Sequence, residues 1–246
     1  MATGTAIVIA SGKGGTGKTS LAGGVAACLA RLGRKVLCID MDIGLRNLDI
    51  SLGMTDRALM DFSDVVEGRC PLSRAAVSHP DLPDLHLLTA PTRVSPGVTP
   101  QGMTALLNTA RALYDYILLD APAGLDTGFQ LACCAADRAI VVATSDASSL
   151  RDAQRTVGEL GHIQQVHLVM NRVQPKLLRQ MRTTIDDAMD TAGLPLLGVV
   201  PEDKQVILAA NTGRPVILTT RRGAANAYLN IAKRLTGQRA PIMRIR

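Results

Sequence analysis

The feature that most constrains the fold of this chain is a glycine-rich loop near its start. Residues 12–19 have the sequence Gly-Lys-Gly-Gly-Thr-Gly-Lys-Thr, which completes the G-x-x-x-x-G-K-[ST] phosphate-binding pattern. The apolar run 6–10 predicts a buried strand before the loop, and residues 19–32 predict a small-residue helix behind it. A chance match to the pattern usually lacks one of these flanks. We therefore predict a strand–loop–helix unit that binds a nucleoside triphosphate.

The residue types in this loop indicate how it would hold phosphate. Glycine allows consecutive backbone N–H groups to surround phosphate oxygens, whereas a Cβ would obstruct them. Lys18 supplies a positive charge for the β- and γ-phosphates, and the Thr19 hydroxyl is a suitable ligand for Mg²⁺. The predicted phosphate-binding residues are Gly12, Lys13, Gly14, Gly15, Thr16, Gly17, Lys18, Thr19 and Ser20.

Seven apolar, β-branched segments alternate with stretches that are mostly long enough to form helices. This order predicts an α/β fold with a doubly wound, mostly parallel sheet flanked by helices. Because no linker or internal repeat interrupts the alternation, we expect residues 1–246 to form a single domain, which ends in a helix near 226–235. The predicted strands are 6–10, 35–39, 85–89, 116–120, 139–143, 166–170 and 196–200.

Acidic side chains follow the second and fourth predicted strands, where a doubly wound sheet binds its ligands. Asp120 at the end of a buried strand is suited to orienting Mg²⁺ through its water shell, and the turn 121–124 behind it is suited to sensing a γ-phosphate. Asp40 and Asp42 are separated by Met41 at the end of the second predicted strand, and we expect their side chains to face opposite ways. One of them is expected near the metal, and the other near solvent or an attacking water. No group of His, Cys or Ser suggests a protein nucleophile, so hydrolysis by a positioned water is the simplest chemistry.

The phosphate loop contains a second lysine, Lys13. Since Lys18 already serves the nucleotide of its own subunit, Lys13 has the position to reach a nucleotide held by another subunit. Hydrolysis would then depend on dimerisation. The alternative, a solvated lysine without a partner, is equally compatible with the spacing.

The basic residues are distributed unevenly along the chain. The net charge is +6, yet residues 204–246 contain nine Lys or Arg and no Asp or Glu, whereas residues 1–203 carry 18 basic and 21 acidic side chains. Such a stretch suits an anionic membrane surface or nucleic acid, or it forms a solvated basic face without a partner.

The cysteines and the apolar runs indicate the compartment. None of the five cysteines forms a C-x-x-C pair, so we expect reduced thiols that pack as small apolar groups. The sequence has neither a run of eighteen apolar residues nor a signal-peptide pattern. These features predict a cytoplasmic protein.

Several segments, in order along nearly the whole chain, resemble the MinD/ParA family of ATPases. Residues 13–19 resemble the deviant Walker A motif of that family, in which the first lysine crosses an ATP-sandwich dimer. Residues 40–49 resemble the switch I segment of MinD-type members rather than that of ParA-type members. Further segments that resemble MinD-type members are 66–70, 120–124, 148–152, 171–173 and 201–203.

The resemblance implies a septum-site-determining ATPase that binds ATP and Mg²⁺, forms a homodimer with ATP and attaches peripherally to the inner face of the cell membrane. Partner-stimulated hydrolysis would release it. By matched position, the implied catalytic residues are Lys13, Lys18 and Asp42. The implied Mg²⁺ site is Thr19, Asp40 and Asp120, and the implied adenine and ribose contacts are Asp146, Asn171, Arg172, Pro201, Glu202 and Asp203. The surfaces implied for MinC-like and MinE-like regulators include Arg46, Asn47 and Asp152.

The sequence departs from the family pattern in two places. Residues 144–146 are Thr-Ser-Asp where the family usually has Asn-Pro-Glu, so a ribose contact across the dimer would come from a shorter acid. MinD-type proteins end in a short amphipathic helix, but residues 240–246 are interrupted by Pro241 and are too short to bury an apolar face. We therefore expect the anchoring helix to be absent here. Two explanations are open: the protein attaches more weakly through its basic stretch, or the chain has been shortened.

Three other functions remain open from the sequence. A ParA-like partition ATPase would use the basic stretch to bind DNA, although the switch I sequence disfavours it. A MinD-like regulator of flagellar placement would usually carry an N-terminal extension, whereas here the loop begins at residue 12. An iron–sulfur carrier ATPase would be expected to have the C-x-x-C pair that this sequence lacks.

Overall fold

The structure is a computed structural model that describes residues 4–93 and 95–243. Its strands are β1 (Thr5–Ala10), β2 (Val36–Asp40), β3 (Val77–His79), β4 (Leu82–Leu88), β5 (Tyr116–Asp120), β6 (Arg138–Ala143), β7 (Gln165–Val173) and β8 (Leu196–Pro201). They form one sheet in the order β3-β4-β2-β5-β1-β6-β7-β8. Every neighbouring pair is parallel except β3 and β4, which form an antiparallel edge.

Helices cover both faces of this sheet. They are α1 (Lys18–Arg31), α2 (Leu48–Leu52), α3 (Phe62–Val66), α4 (Leu72–Ala75), α5 (Pro100–Leu113), α6 (Thr127–Cys133), α7 (Ala147–Glu159), α8 (Pro175–Met181), α9 (Ile185–Ala192), α10 (Lys204–Asn211), α11 (Val216–Thr219) and α12 (Gly223–Leu235). The described residues contain no helix with the length and apolarity that a membrane span requires.

The predicted fold class is confirmed, and each of the seven predicted strands forms. The strand 116–120 has the predicted bounds, and the other six differ slightly. The third predicted strand, 85–89, instead begins at Leu82 and ends at Leu88, and the final helix begins three residues earlier than predicted, at Gly223. The sequence did not predict β3, since only one of its three residues is apolar. That short strand forms because β4 supplies its hydrogen-bonding partners.

The alternation of side chains along the strands builds two apolar layers. In β1, Ala6, Val8 and Ala10 pack in the layer on one face of the sheet, whereas Ile7 and Ile9 pack in the other. All five are fully buried, as expected for a central parallel strand covered by helices on both faces.

The small residues of α1 allow close packing beneath the phosphate loop. A Cβ placed on Gly24 would lie 2.3 Å from the ring of Tyr228 in α12, so only glycine permits this approach. The contact fixes α1 against the last helix of the chain. The start of α1 therefore has a rigid support.

A buried histidine connects the edge of the sheet to the helix that follows the second strand. The His79 ring accepts a hydrogen bond at Nδ1 from the backbone N–H of Asp81 (3.1 Å), so its Nε2–H donates to the Leu52 carbonyl (2.9 Å). The ring is 3% exposed, and burial lowers its pKa below the usual 6.5, with Arg57 adding to that effect and Asp81 opposing it. The neutral ring thus helps to hold the C-terminal end of α2.

This geometry predicts that His79 makes the folded state less stable in acid. Because the folded pKa lies below the unfolded value, the stability that neutral His79 provides is complete above about pH 6.5 and is lost as pH falls through the folded pKa. His79→Gln keeps a donor for Leu52 but does not titrate. We expect urea unfolding at pH 7.5 and pH 5.5 to show a smaller loss of stability for His79→Gln than for the wild type, and equal losses would contradict this.

Candidate nucleotide site

A cavity of about 580 Å³ lies at the carboxyl ends of the parallel strands, where the phosphate loop meets the end of β7 and the segments after β2, β5 and β8. Its walls bring together six of the nine predicted phosphate-loop residues with Asp42 and the predicted base-binding loops. The lining residues are Gly14, Gly15, Gly17, Lys18, Thr19, Ser20, Asp42, Leu45, Asn47, Ile50, Ser51, Ala121, Ala123, Asn171, Arg172, Pro201, Glu202, Asp203, Val206, Ile207, Ala210 and Tyr228.

The backbone of the phosphate loop needs glycine at two of these positions. Gly15 and Gly17 have φ angles of 79° and 87°, in the left-handed region that strains other residues. A Cβ on Gly17 would also lie 2.4 Å from Asn171 Nδ2. Gly17 caps α1 without any side-chain hydrogen bond, and the first turn of that helix contains no acid. The N–H groups and the positive dipole end of α1 are thus available to an anion.

The predicted phosphate lysine is held by a serine that the sequence pattern does not include. Lys18 Nζ donates to Ser11 Oγ (2.9 Å), which also accepts from the Thr16 hydroxyl (3.0 Å) and donates to the Lys13 carbonyl (2.7 Å). Burial lowers the pKa of Lys18, while the nearby Asp120 and Asp42 carboxylates oppose that shift. The ammonium therefore has one neutral partner and lines the cavity.

Asp120 provides the observation that bears on a metal ion. It is 1% exposed, and its Oδ1 is buried with no hydrogen-bond partner among the residues that the structure describes. Burial raises its pKa to about 7, and a hydrogen bond from the Thr19 side chain opposes this shift. No cluster of three or more acidic, His or Cys side chains in the described part of the chain is arranged to hold a metal by itself. An orphaned carboxylate oxygen beside a threonine hydroxyl fits Mg²⁺, which usually takes few protein ligands and completes its shell with water and phosphate.

Asp40 and Asp42 point in different directions. Asp42 lines the cavity, whereas Asp40 does not. Its Oδ1 accepts from the Asp42 backbone N–H (2.9 Å) and its Oδ2 from the Leu48 backbone N–H (3.1 Å). Burial raises the pKa of Asp40 to about 6, which those two hydrogen bonds oppose. In this geometry Asp40 fixes the backbone of the segment that carries Asp42, and only Asp42 reaches the cavity wall.

Two predicted base-binding residues at the carboxyl end of β7 tie that end of the strand to the phosphate loop. Asn171 Nδ2 donates to the Thr16 carbonyl (2.8 Å), and Arg172 Nη1 donates to the Gly15 carbonyl (3.0 Å). Arg172 also donates from Nε to Glu202 Oε2 (2.8 Å), which links the end of β7 to the segment after β8. These contacts explain how residues far apart in sequence form one wall.

Asp203, which was predicted to contact adenine or ribose, lines the cavity but also performs a structural task. Its Oδ1 accepts from the Gln205 N–H at the start of α10 (2.9 Å), and its Oδ2 accepts from the Ala224 N–H in α12 (2.9 Å). It therefore joins the loop after β8 to two helices. Pro201 and Glu202 line the cavity beside it.

The sequence reasoning missed an apolar wall of the cavity, formed by α2, α10, α12 and the segment before α2. Its members are Leu45, Ile50, Val206, Ile207, Ala210 and Tyr228. Ile207 is 61% exposed and Leu45 is 68% exposed, so this wall is open at its rim. The available signal was the apolar run 206–210 directly after the predicted base-binding loop. An apolar wall of this kind suits one face of a purine base.

Lys13 and Asp146 meet outside the cavity. Lys13 Nζ donates to Asp146 Oδ1 (2.6 Å) and to the Ser148 hydroxyl (2.9 Å), and Asp146 also caps α7 by accepting from the Ser149 N–H (3.0 Å). Burial raises the pKa of Asp146, but the hydrogen bonds from Lys13, Ser148, Thr144 and Ser149 hold it well below its usual range. Lys13 is thus directed away from its own cavity and toward the start of α7.

The three residues predicted to lie on partner surfaces are near the phosphate loop or the cavity. Asn47 lines the cavity, and Arg46 precedes it with a φ of 46° and a buried Nε that has no hydrogen-bond partner within the described residues. Asp152 in α7 lies against the phosphate loop, where a Cβ on Gly12 would be 2.5 Å from its carbonyl oxygen. Their predicted contacts with regulators remain a prediction.

Known proteins resemble this chain in both sequence and structure. The CobQ/CobB/MinD/ParA nucleotide binding domain matches residues 7–216. The septum site-determining protein MinD of Bacillus subtilis is 40% identical over 245 residues, which cover 97% of this chain and 91% of that protein. MinD of Synechocystis is 39% identical over 243 residues, covering 96% and 91%.

Two solved structures are similar over nearly the whole chain. The MinC:MinD cell division protein complex of Aquifex aeolicus matches with a TM-score of 0.91 and 36% identity, covering 98% of each chain. MinD of Pyrococcus horikoshii, complexed with Mg-ADP, matches with a TM-score of 0.82 and 28% identity, covering 94% of this chain and 95% of that one.

Proposed function

Because this chain belongs to the CobQ/CobB/MinD/ParA nucleotide-binding family and is similar along nearly its whole length to the septum site-determining ATPases of cell division, we propose that it hydrolyses ATP with Mg²⁺ in the cavity described above. The observation that carries this proposal is the meeting of Lys18, Thr19 and Asp42 at one cavity. A phosphate lysine, a metal-binding hydroxyl and a carboxylate at the γ-phosphate end are the components that phosphoryl transfer to water needs.

In this proposal, Lys18 exchanges the Ser11 hydroxyl for the β- and γ-phosphate oxygens, and because Lys18 is buried, water screens its positive charge little. Thr19 and Asp120 would hold Mg²⁺, and a bound Mg²⁺ would supply positive charge against the negative charge that develops on the phosphates. Asp42 accepts a hydrogen bond from the attacking water and orients it toward the γ-phosphate. Asp40 acts through the backbone of Asp42, so it is a positioning residue.

We further propose that Lys13 serves the nucleotide of a second copy. The support is its direction, since Lys13 leaves its own cavity and pairs with Asp146 at the start of α7. To reach the nucleotide of another subunit, Lys13 must break its ion pair with Asp146. The ion pair is therefore a latch, meaning a contact that holds Lys13 in the monomer and is broken in the ATP-bound dimer. Lys13 is 33% exposed and Asp146 50% exposed, so solvent screening keeps the latch weak, on the order of 1 kcal/mol or less.

Asp146→Asn is expected to lower the ATP concentration needed for half-maximal dimerisation by about two- to fivefold. Asparagine caps helices as well as aspartate does, so α7 is retained while the charge that holds Lys13 is removed. Light scattering or sedimentation during an ATP titration measures the effect. If Asp146 instead contacts a ribose across the dimer, as the sequence resemblance implied, the required ATP concentration would rise, and the latch would be wrong.

The remaining steps of the proposed cycle concern location and partners. We propose peripheral attachment to the inner face of the cell membrane in the ATP-bound state, and regulation by MinC-like and MinE-like proteins. The structure of a MinC:MinD complex from Aquifex aeolicus supports a MinC-like partner, because that MinD chain is 36% identical to this one over 98% of its length. For MinE, the support is the sequence resemblance alone.

The proposal is tested by ATP turnover and by sedimentation of the full chain with anionic vesicles and, separately, with duplex DNA, each with ATP and with ADP. We expect Mg²⁺-dependent turnover and ATP-dependent pelleting with vesicles. ATP-dependent, salt-sensitive DNA binding without vesicle binding would favour a partition ATPase instead. The basic C-terminal stretch gives that alternative limited support, because two of its arginines already have partners within the protein. Arg214 lies 3.7 Å from Asp81, and Arg234 donates to the backbone carbonyls of Leu197 and Ala240.

A further inference from the structure

Helix α8 is unusual because none of its residues is buried, although it contains two leucines and a methionine. Leu177 and Met181 are each 41% exposed, and their spacing of four residues puts them on the same side of the helix. Leu178 is partly buried against the core and holds the helix on the protein. The exposed apolar side therefore has no function in the packing of the fold.

The same helix and the residue that follows it carry only positive charges. Lys176, Arg179 and Arg182 are exposed, and residues 174–185 contain no Asp or Glu. In the part of the chain that the structure describes, none of these three side chains forms an ion pair, and Arg179 donates only weakly to the Pro175 carbonyl (3.4 Å). Their charges are thus free to meet an external anion.

A groove of about 590 Å³ extends this surface toward the C-terminal segment. Lys176 and Arg179 form one side, while Met243 and the loop after β8 form the other. The two acids of the groove already have partners, since Glu202 pairs with a neighbouring arginine and Asp203 accepts two backbone N–H groups. The cations of the groove are therefore those of α8 itself, and Met243, the last residue that the structure describes, lines the same groove.

We propose that α8 is a membrane-contact element that binds the headgroups of anionic lipids, with Lys176, Arg179 and Arg182 at the phosphates and Leu177 and Met181 in the interface. This inference rests on the proposed membrane attachment and names a surface for it. A short helix with apolar side chains on one side and only cations on its polar side is typical of segments that lie on anionic bilayers. DNA is a poorer fit, because a phosphate backbone gives Leu177 and Met181 nothing apolar to contact.

Two double variants of the full chain test the inference. Lys176→Gln with Arg179→Gln removes charge, and Leu177→Gln with Met181→Gln removes apolar surface, while glutamine preserves helix propensity. The matched control combines Arg34→Gln with Leu113→Gln, which lie at the opposite, amino-terminal edge of the sheet, and Leu113 is 42% exposed. Sedimentation with phosphatidylglycerol vesicles, with phosphatidylcholine vesicles and with duplex DNA is measured in ATP, and basal ATP turnover reports folding.

With anionic vesicles, we expect about a twentyfold loss of binding for the charge variant and about a tenfold loss for the apolar variant, with the control unchanged. Basal turnover should stay near the wild-type level in all three. If the wild type binds these vesicles and both α8 variants bind equally well, α8 is not the contact and the inference is overturned, while the proposed membrane attachment stands. If the wild type does not bind the anionic vesicles, the α8 inference and the proposed membrane attachment are both wrong. Loss of DNA binding with unchanged vesicle binding would identify α8 as a nucleic-acid surface and also overturn the inference.

Discussion

Replacing Lys13 with alanine is expected to abolish ATP-dependent dimerisation and to lower ATP turnover about a thousandfold, the scale of a trans-acting cation in phosphoryl transfer. The physical reason is that Lys13 leaves its own cavity, so its charge reaches a γ-phosphate only across a dimer. The sites of the two subunits would each lose one positive charge in the transition state. Steady-state phosphate release and sedimentation with ATP and with ADP measure both effects.

Mixing two inactive variants tests whether the lysine acts in trans. A heterodimer of Lys13→Ala and Asp42→Ala contains one site with Asp42 from the first subunit and Lys13 from the second. An equal mixture should therefore recover some turnover, at most about a quarter of the wild-type value, which is the limit for random pairing with one complete site in each mixed dimer. Recovery would not occur if Lys13 served its own nucleotide. Lys35→Ala, at the opposite edge of the sheet, is the control for loss of a lysine and should retain normal turnover.

Asp42→Ala is expected to reduce turnover about a hundredfold while ATP binding changes only a few-fold, so that the ATP-bound dimer accumulates. Asp42 lies on the cavity wall and its backbone N–H is fixed by Asp40, which keeps the carboxylate oriented before ATP arrives. Losing it removes the positioning of water but leaves Lys18 and the loop amides for the phosphates. Single-turnover hydrolysis and equilibrium ATP binding separate the two effects.

A conservative change at the same position separates orientation from charge. Asp42→Asn keeps a hydrogen-bond acceptor for water but loses the negative charge, so we expect an intermediate rate. Turnover of Asp42→Ala at the wild-type rate would show that another group positions the water. Weak ATP binding by both variants would show that Asp42 supports the nucleotide and not the chemistry.

Local sequence determined the sheet and the phosphate loop. The strands β1, β2, β5 and β6 are short apolar runs whose neighbours in sequence supply helices, so alternation alone indicates buried parallel strands. The loop was equally predictable, because the left-handed φ angles of Gly15 and Gly17 leave glycine as the suitable residue. In each case, the determining interactions lie within about ten residues of the chain.

Tertiary structure decided how the side chains of the site pair with one another. The Lys13–Asp146 pair joins positions 133 residues apart, and the contact of Asn171 with the phosphate loop spans 155. No local pattern specifies which carboxylate of Asp40 and Asp42 will face the cavity, since this depends on the backbone N–H groups that Asp40 finds after the chain has folded. The role of Ser11 and the apolar wall on α10 arise in the same way. The sequence alone therefore determined which elements form and which loop holds phosphate, whereas the partners of the functional side chains depend on where the sheet brings distant loops together.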